Sequence, residues 1–460
     1  MPRITFYGAA ETVTGSRHLL EYGNSKVLVD CGLFQGPREI RDRNWQPFPI
    51  PVDELDAIVI THAHTDHIGY LPRLWREGYR GPIYATPATI ELARISLPDG
   101  GRIQEEEARY RNRKNLTRHH PAEPLFTESD AREVLKLFKP VNFFEWKELP
   151  NKATFRYVPN GHILGSACAE IYFDSGERIL MGGDLGRYDR PIMRDPYPCD
   201  YAEYLVIEST YGDRVHAHED TQSVLAEIMK TALERNSVIV VPSFAIGRTQ
   251  EMLWHINSIY DAKMAPRMPI YVDSPMANST TLLYYKFTED LDKDMKVDLS
   301  VERSPLGPDL VHLVRDKGMS KQLNYARGPF MVIAGSGMCT GGRVLHHLLH
   351  RLNDPDNIVL FTGYQAQGTL GRQLIEGAEE AHIFREKVPV RAEIRKLNSL
   401  SAHADSNEMM QWLRGFKEPP KKTFIVHGEP PAQAALRDRI VEELGWNVAI
   451  PKHGEGFDLA

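Results

Sequence analysis

Cysteine is scarce: the chain carries four, Cys31, Cys168, Cys199 and Cys339, far apart and with no Cys-x-x-Cys pair. That spacing excludes a disulfide framework and a cysteine-ligated zinc site, and it favours a reducing compartment. Long apolar runs are missing too. No stretch approaches the roughly 18 apolar residues a membrane span requires. The N-terminus runs straight into a strand-like Arg-Ile-Thr-Phe-Tyr-Gly, without the basic and apolar regions of a targeting segment. A cytoplasmic protein with no membrane partner is expected. Positive charge is not in surplus: 55 Lys and Arg against 62 Asp and Glu leave a formal net charge of −7. This argues against a protein held to nucleic acid by bulk charge, while leaving room for a local basic groove. Internal repeats, low-complexity tracts and long flexible linkers are absent.

What remains is an ordinary globular composition spread over 460 residues, enough for roughly two to four domain-sized units. Runs of β-branched and aromatic residues at 4–7, 17–22, 26–30 and 57–61, separated by Gly and Asn turns, predict strands. The charged stretch 98–149 reads as a surface excursion. Strands resume at 154–158, 168–173, 178–181 and 204–207, each followed by a polar or glycine-containing loop. From residue 212 the rhythm becomes helix then strand, as in 221–236 followed by 238–242, which predicts a mostly parallel sheet with helices on both faces. Around Lys422 the earlier style returns. The reading is an α/β chain whose first domain, 1–210 with 391–460, is interrupted by an inserted domain at 211–390.

The chemistry is concentrated in His62-x-His64-x-Asp66-His67, which places three imidazoles and a carboxylate within six residues just past a buried strand. These are ligand types suited to zinc and similar cations. Four ligands on so short a loop cannot all close on one tetrahedral ion without strain. His62 and His64 are therefore assigned to one metal, Asp66 and His67 to a neighbour. Remote ligands must complete both spheres, and His162, Asp184 and His427 are the candidates, with Asp184 as the carboxylate able to bridge.

With Asp30 preceding them, the His62 to His67 motif, His162 and Asp184 resemble, in order, the four motifs of the metallo-β-lactamase superfamily. Within it the chain resembles the β-CASP nucleases: Glu208 in Ile-Glu-Ser-Thr-Tyr-Gly matches motif A, His403 in Ser-Ala-His-Ala-Asp matches motif B, and His427 matches motif C. The resemblance implies an αββα sandwich interrupted by a β-CASP domain, and the histidine of motif C points to RNA. It is most similar to short two-domain bacterial ribonucleases of the group that includes the pre-mRNA 3′-end endonuclease.

By that resemblance the seven ligands hold two Zn²⁺, with Mn²⁺ as the alternative metal. A hydroxide held between the metals attacks phosphorus in line, leaving 5′-phosphate and 3′-hydroxyl ends. Asp66, Glu208 and His403 are the catalytic candidates, His403 as proton donor or phosphate stabiliser oriented by Glu208. Loops that follow strands and precede helices in the inserted domain nominate Ser274, Ser336, Gly337 and Arg248 as substrate-binding residues. The basic run 109–114, with Arg118, His119 and His120, reads either as an RNA path or as a solvated helix face. His346, His347 and His350 are read as structural. A DNA phosphodiesterase, or another metallo-hydrolase such as a thioesterase, is the alternative activity. A catalytically silent scaffold is disfavoured because no ligand is missing. RNA is the expected partner, and the sequence is compatible with a homodimer.

Overall fold

The computed structural model describes residues 1–116, 121–216, 219–300, 304–307 and 310–459. Arg118, His119 and His120 lie outside them. The chain forms two compact units: Met1–Val215 with His403–Ala460, and His216–Ala402.

The first unit contains two seven-stranded sheets of matching design. One runs Glu455–Asp458, Arg3–Phe6, His18–Tyr22, Ser25–Val29, Ala57–Val59, Ile83–Ala85, Phe138–Pro140; the other runs Val448–Ala449, Lys422–Ile425, Tyr204–Ile207, Arg178–Met181, Ala167–Tyr172, Thr154–Pro159, Lys147–Glu148. In each, antiparallel hairpins give way to parallel strands. The apolar runs without alternation are explained by cover on both faces. In Tyr204–Ile207, Tyr204 and Val206 enter the core that also holds Phe6, Val29, Val59, Tyr157 and Phe424. Leu205 and Ile207 face the other way, onto Met409, Met410, Leu413 and Leu436. Phe424 is fully buried, and truncating such a ring to alanine costs about 3–5 kcal/mol.

The stretch 98–149 is more than an excursion. Pro98 sits buried within the helix Pro87–Lys114, whose N-terminus is capped by the Thr86 hydroxyl accepting from the Thr89 amide. Glu128–Val134 buries Ala131 and Val134, and Phe138–Pro140 pairs with Ile83–Ala85 as the outer strand of the first sheet.

The second unit has a six-stranded parallel sheet in the order Val311–Leu313, Ile270–Asp273, Phe330–Ala334, Val238–Pro242, Ile358–Phe361, Glu393–Lys396, plus a small hairpin of Glu380–Ile383 and Glu386–Pro389. Its central strands bury alternate residues on opposite faces, Ile239 and Val241 against Leu225, Met229 and Ile256, Val238 and Val240 in the cluster with Val344 and Leu348. This unit extends to Ala402 and not to 390, because Glu393–Lys396 pairs in parallel with Ile358–Phe361. No helix among the described residues is long and apolar enough to cross a membrane, and none of the four cysteines, all buried, is in a disulfide.

Candidate metal centre

Every candidate ligand lies in the first unit, just beyond a strand. The chain leaves Ala57–Val59, passes Thr61, His62 and His64, and turns into the short helix Thr65–Ile68, which carries Asp66 and His67. Backbone bonds fix this loop: the Ser16 amide donates to the Asp66 carbonyl at 2.8 Å and the Cys31 amide to the His67 carbonyl at 2.7 Å. The approach is so close that a Cβ on Gly32 would fall 1.6 Å from the Asp66 carbonyl oxygen, so only glycine fits. Gly183, at φ +59° beside Thr61, turns the chain after Arg178–Met181 and delivers Asp184.

The donors form two groups. Nε2 of His62 and Nε2 of His162 lie 3.1 and 3.2 Å from Nδ1 of His64, and the Asp184 Oδ2 atom is 3.4 Å from the first and 3.6 Å from the second. In the second group, Asp184 Oδ1 lies 3.3 Å from His67 Nε2 and 3.6 Å from His427 Nδ1, and His427 Nε2 lies 3.2 Å from Asp66 Oδ2. One carboxylate thus presents one oxygen to each group. The spacings suit a tetrahedral cation: bonds of ~2.0–2.1 Å imply donor-to-donor edges of about 3.3 Å. Asp184 Oδ1, fully buried, accepts no hydrogen bond among the described residues. An acceptor orphaned in that way costs roughly 1–3 kcal/mol unless a cation takes it. The donor set fits divalent metal.

The two groups differ in protonation. Burial drives the imidazoles of His62, His64 and His162 toward the neutral form, His64 down to about 3, and neighbouring rings add to the effect. Burial works the same way on His67 and His427. There the carboxylate of Asp184 outweighs it, helped by Asp30 at His67 and by Asp66 at His427, so both rings titrate above the ordinary histidine value. Asp66 and Asp184 are held below the usual carboxylate range, burial being outweighed by the facing histidines.

Outer contacts orient the donors. Asp30 Oδ2 sits 2.8 Å from His67 Nδ1, and both its oxygens accept from Thr61, one from the amide and one from the hydroxyl, each at 2.8 Å. This carboxylate–imidazole pairing fixes which ring nitrogen faces the site. Glu208, fully buried, accepts from the Leu185 amide at 2.7 Å and the Thr210 amide at 3.2 Å. Its carboxylate also holds His403 Nδ1 at 2.9 Å. Burial opposes charge on His403, but Glu208 prevails and raises its pKa to about 8.

The structure therefore brings together His62, His64, Asp66, His67, His162, Asp184, His427, Glu208 and His403. Thr61, Thr210 and Ser16, whose hydroxyls lie 3.1 Å from His62 Nδ1, 3.1 Å from His427 Nδ1 and 3.3 Å from His67 Nε2, were not nominated by sequence. No pattern marks a lone hydroxyl residue. Ser274, Ser336, Gly337 and Arg248 belong to the second unit. Ser274 caps Pro275–Lys286, its hydroxyl accepting from the Ala277 amide. The Ser336 hydroxyl closes its own turn, accepting from the Thr340 amide at 3.0 Å. A Cβ on Gly337 would meet the Phe244 ring at 2.6 Å. Arg248 is buried, not spread on a helix surface, with its guanidinium 3.5 Å from Glu251. His347, read as structural, holds the buried Asp273 carboxylate at 2.7 Å beside Arg343 at 2.6 Å.

Comparison with known proteins returns three family matches: a metallo-beta-lactamase superfamily domain over residues 19–182, a Beta-Casp domain over 249–374 and a Zn-dependent metallo-hydrolase RNA specificity domain over 387–451. The chain is 38% identical to Ribonuclease TTHA0252 of Thermus thermophilus across 99% of its own length and 100% of the relative's. It is 30% identical to an RNase J-like protein of Methanocaldococcus jannaschii, covering 99% of each. It is 28% identical to the transcription termination factor FttA of that organism, over 93% of this chain and 67% of the other. A solved Enterococcus faecalis protein of unknown function shares the fold, with a TM-score of 0.55 at 14% identity over the full length of both chains.

Proposed function

The chain belongs to the β-CASP ribonucleases of the metallo-β-lactamase superfamily, and on that premise we propose that it hydrolyses RNA phosphodiester bonds with two zinc ions, leaving 5′-phosphate and 3′-hydroxyl ends. The observation that carries the reading is Asp184, whose two oxygens face two separate groups of nitrogen and oxygen donors. His62, His64 and His162 would hold one ion, Asp66, His67 and His427 the other, and Asp184 both. Bound there, the ions supply a water acidified toward neutral pH and positive charge for the phosphoryl oxygens.

The remaining work falls to the chain's own side chains. Asp30 keeps His67 in one tautomer and one orientation, so its outer nitrogen cannot swing away. Glu208 does the same for His403, engaging Nδ1 so that the transferable proton sits on Nε2. The Glu208 carboxylate raises the His403 pKa and so favours the protonated ring. As the P–O3′ bond breaks, His403 gives that proton to the departing ribose oxygen, and the water oxygen stays on phosphorus. Because water is the nucleophile, a ribose 2′-hydroxyl takes no part. The thiols outside any disulfide support a reducing, cytoplasmic setting.

The test is incubation of zinc-loaded protein with an internally labelled single-stranded RNA and a DNA of the same sequence. Expected are RNA fragments bearing 5′-phosphates, no fragments from an Asp184→Ala variant, and two zinc ions per chain by elemental analysis. RNA left intact by fully loaded protein overturns the proposal.

A further inference from the structure

Away from the ligands, the first unit carries a row of aromatic side chains that the reaction leaves unused. Tyr197, Phe144 and Trp146 are 38%, 41% and 48% exposed, and it is the grouping of apolar rings on one surface, not single exposed ones, that marks an interaction site. They follow one strand. The Tyr197 amide donates to the Pro159 carbonyl, the Phe144 amide donates to the Tyr157 carbonyl, and Lys147, next to Trp146, pairs with Phe155. The row therefore runs down Thr154–Pro159, which spans about 17 Å at ~3.3 Å per residue.

The rings are set in two edge-to-face pairs, Phe144 with Tyr197 at 5.0 Å and Trp146 with Tyr172 at 5.1 Å. Cations lie against the second pair: the Arg156 guanidinium is 4.9 Å from the Trp146 ring centre and that of Arg178 is 5.0 Å from Tyr172. Glu170, buried, binds both arginines; Arg178 is itself buried, and Arg156 is the one left partly exposed. The row is continuous with the metal centre. Pro159 leads within three residues to His162, and the Arg194 to Pro196 backbone that delivers Tyr197 packs so closely that a Cβ on Gly161 would lie 2.5 Å from the Arg194 carbonyl oxygen.

Partly exposed aromatic side chains along one strand, with the partly exposed Arg156 guanidinium beside Trp146, match what single-stranded nucleic acid recognises: bases stack on aromatics and phosphates meet cations. We propose that Tyr197, Phe144 and Trp146 form a stacking track for single-stranded RNA that leads away from the metal centre within the first unit. This rests on the ribonuclease reading and assigns the protein a binding surface beyond its metal-site contacts. Substrates long enough to reach Trp146 gain affinity from it, and short ones do not.

Steady-state kinetics on zinc-loaded protein test it, with a long unstructured RNA and, as a substrate too small to reach the track, bis(p-nitrophenyl) phosphate. For Trp146→Ala and Phe144→Ala the KM for long RNA should rise about tenfold each, the range expected for loss of one stacked base. Trp146→Phe should restore it, and turnover of the small diester should match the parent throughout. Long RNA carrying 4-thiouridine, photocrosslinked to the parent protein, should label Tyr197, Phe144 or Trp146, a readout independent of any variant's folding. Unchanged KM values with labels confined to other residues overturn the track. So does conversion of a dimer to monomer in the alanine variants with RNA kinetics intact, which would mark the row as a contact between copies. Failure of the parent to cut RNA at all would instead remove the proposed function.

Discussion

The two donor groups flanking Asp184 share one carboxylate but are built on opposite electrostatic plans. Around His62, His64 and His162, burial and ring-to-ring proximity leave three neutral imidazoles with lone pairs ready for a cation. Around His67 and His427, carboxylates hold protons on the rings, and a metal must displace them. The contrast shows that similar ligands need not make equivalent sites: the first is preorganised by desolvation, the second by charge pairs that a cation replaces.

The sharpest break in this comparison is to remove what the groups share. Asp184→Ala takes one oxygen from each, so both metals and RNA turnover should be lost while circular dichroism stays native; a variant that retains either metal at full stoichiometry would show the groups to be independent. Next in size is His403→Ala, outside both groups. Rate should fall roughly 10²–10⁴-fold with metal content unchanged. In the parent the rate should decline toward alkaline pH as His403 loses the proton that Glu208 favours, and pre-steady-state cleavage of the variant should lack this limb. Asp30→Asn acts directly on His67 in the second group and reaches His62 in the first only through the Thr61 hydroxyl. It should weaken one of two metal-binding events about 10–100-fold, read by competition with a chromogenic chelator.

The smallest effect is on pH dependence. The first group's imidazoles stay unprotonated through the neutral range, whereas His67 and His427 carry protons to higher pH than an ordinary histidine. Lowering pH from 8 to 6 should therefore weaken the second metal and leave the first, so equilibrium dialysis at limiting zinc should move from two ions toward one. Equal loss from both groups would erase the distinction.

Much of this centre was legible in sequence because its ligands obey a local rule: each follows a strand, and four of them fall between His62 and His67. The hydroxyl contacts were not legible. Thr61, Thr210 and Ser16 act through positions fixed by partners far along the chain, and a single hydroxyl has no spacing to betray it. The charge of the stretch 98–149 points to a surface excursion, yet the helix Pro87–Lys114 continues through Pro98 and buries Gly101 and Ala108. Glu393–Lys396 was invisible as a strand for a similar reason: Glu-Ile-Arg-Lys is the charged composition of a sheet edge, so only its pairing with Ile358–Phe361 reveals it.

The division of the chain also sets an order of events during synthesis. His403 and His427 are encoded after the whole of the second unit, so a growing polypeptide leaves the ribosome with His62 to Glu208 in place but neither of these imidazoles. Domains emerge and fold from the N-terminal end, so the half-made chain has one donor of the second group, His427, and the imidazole of His403 still to come.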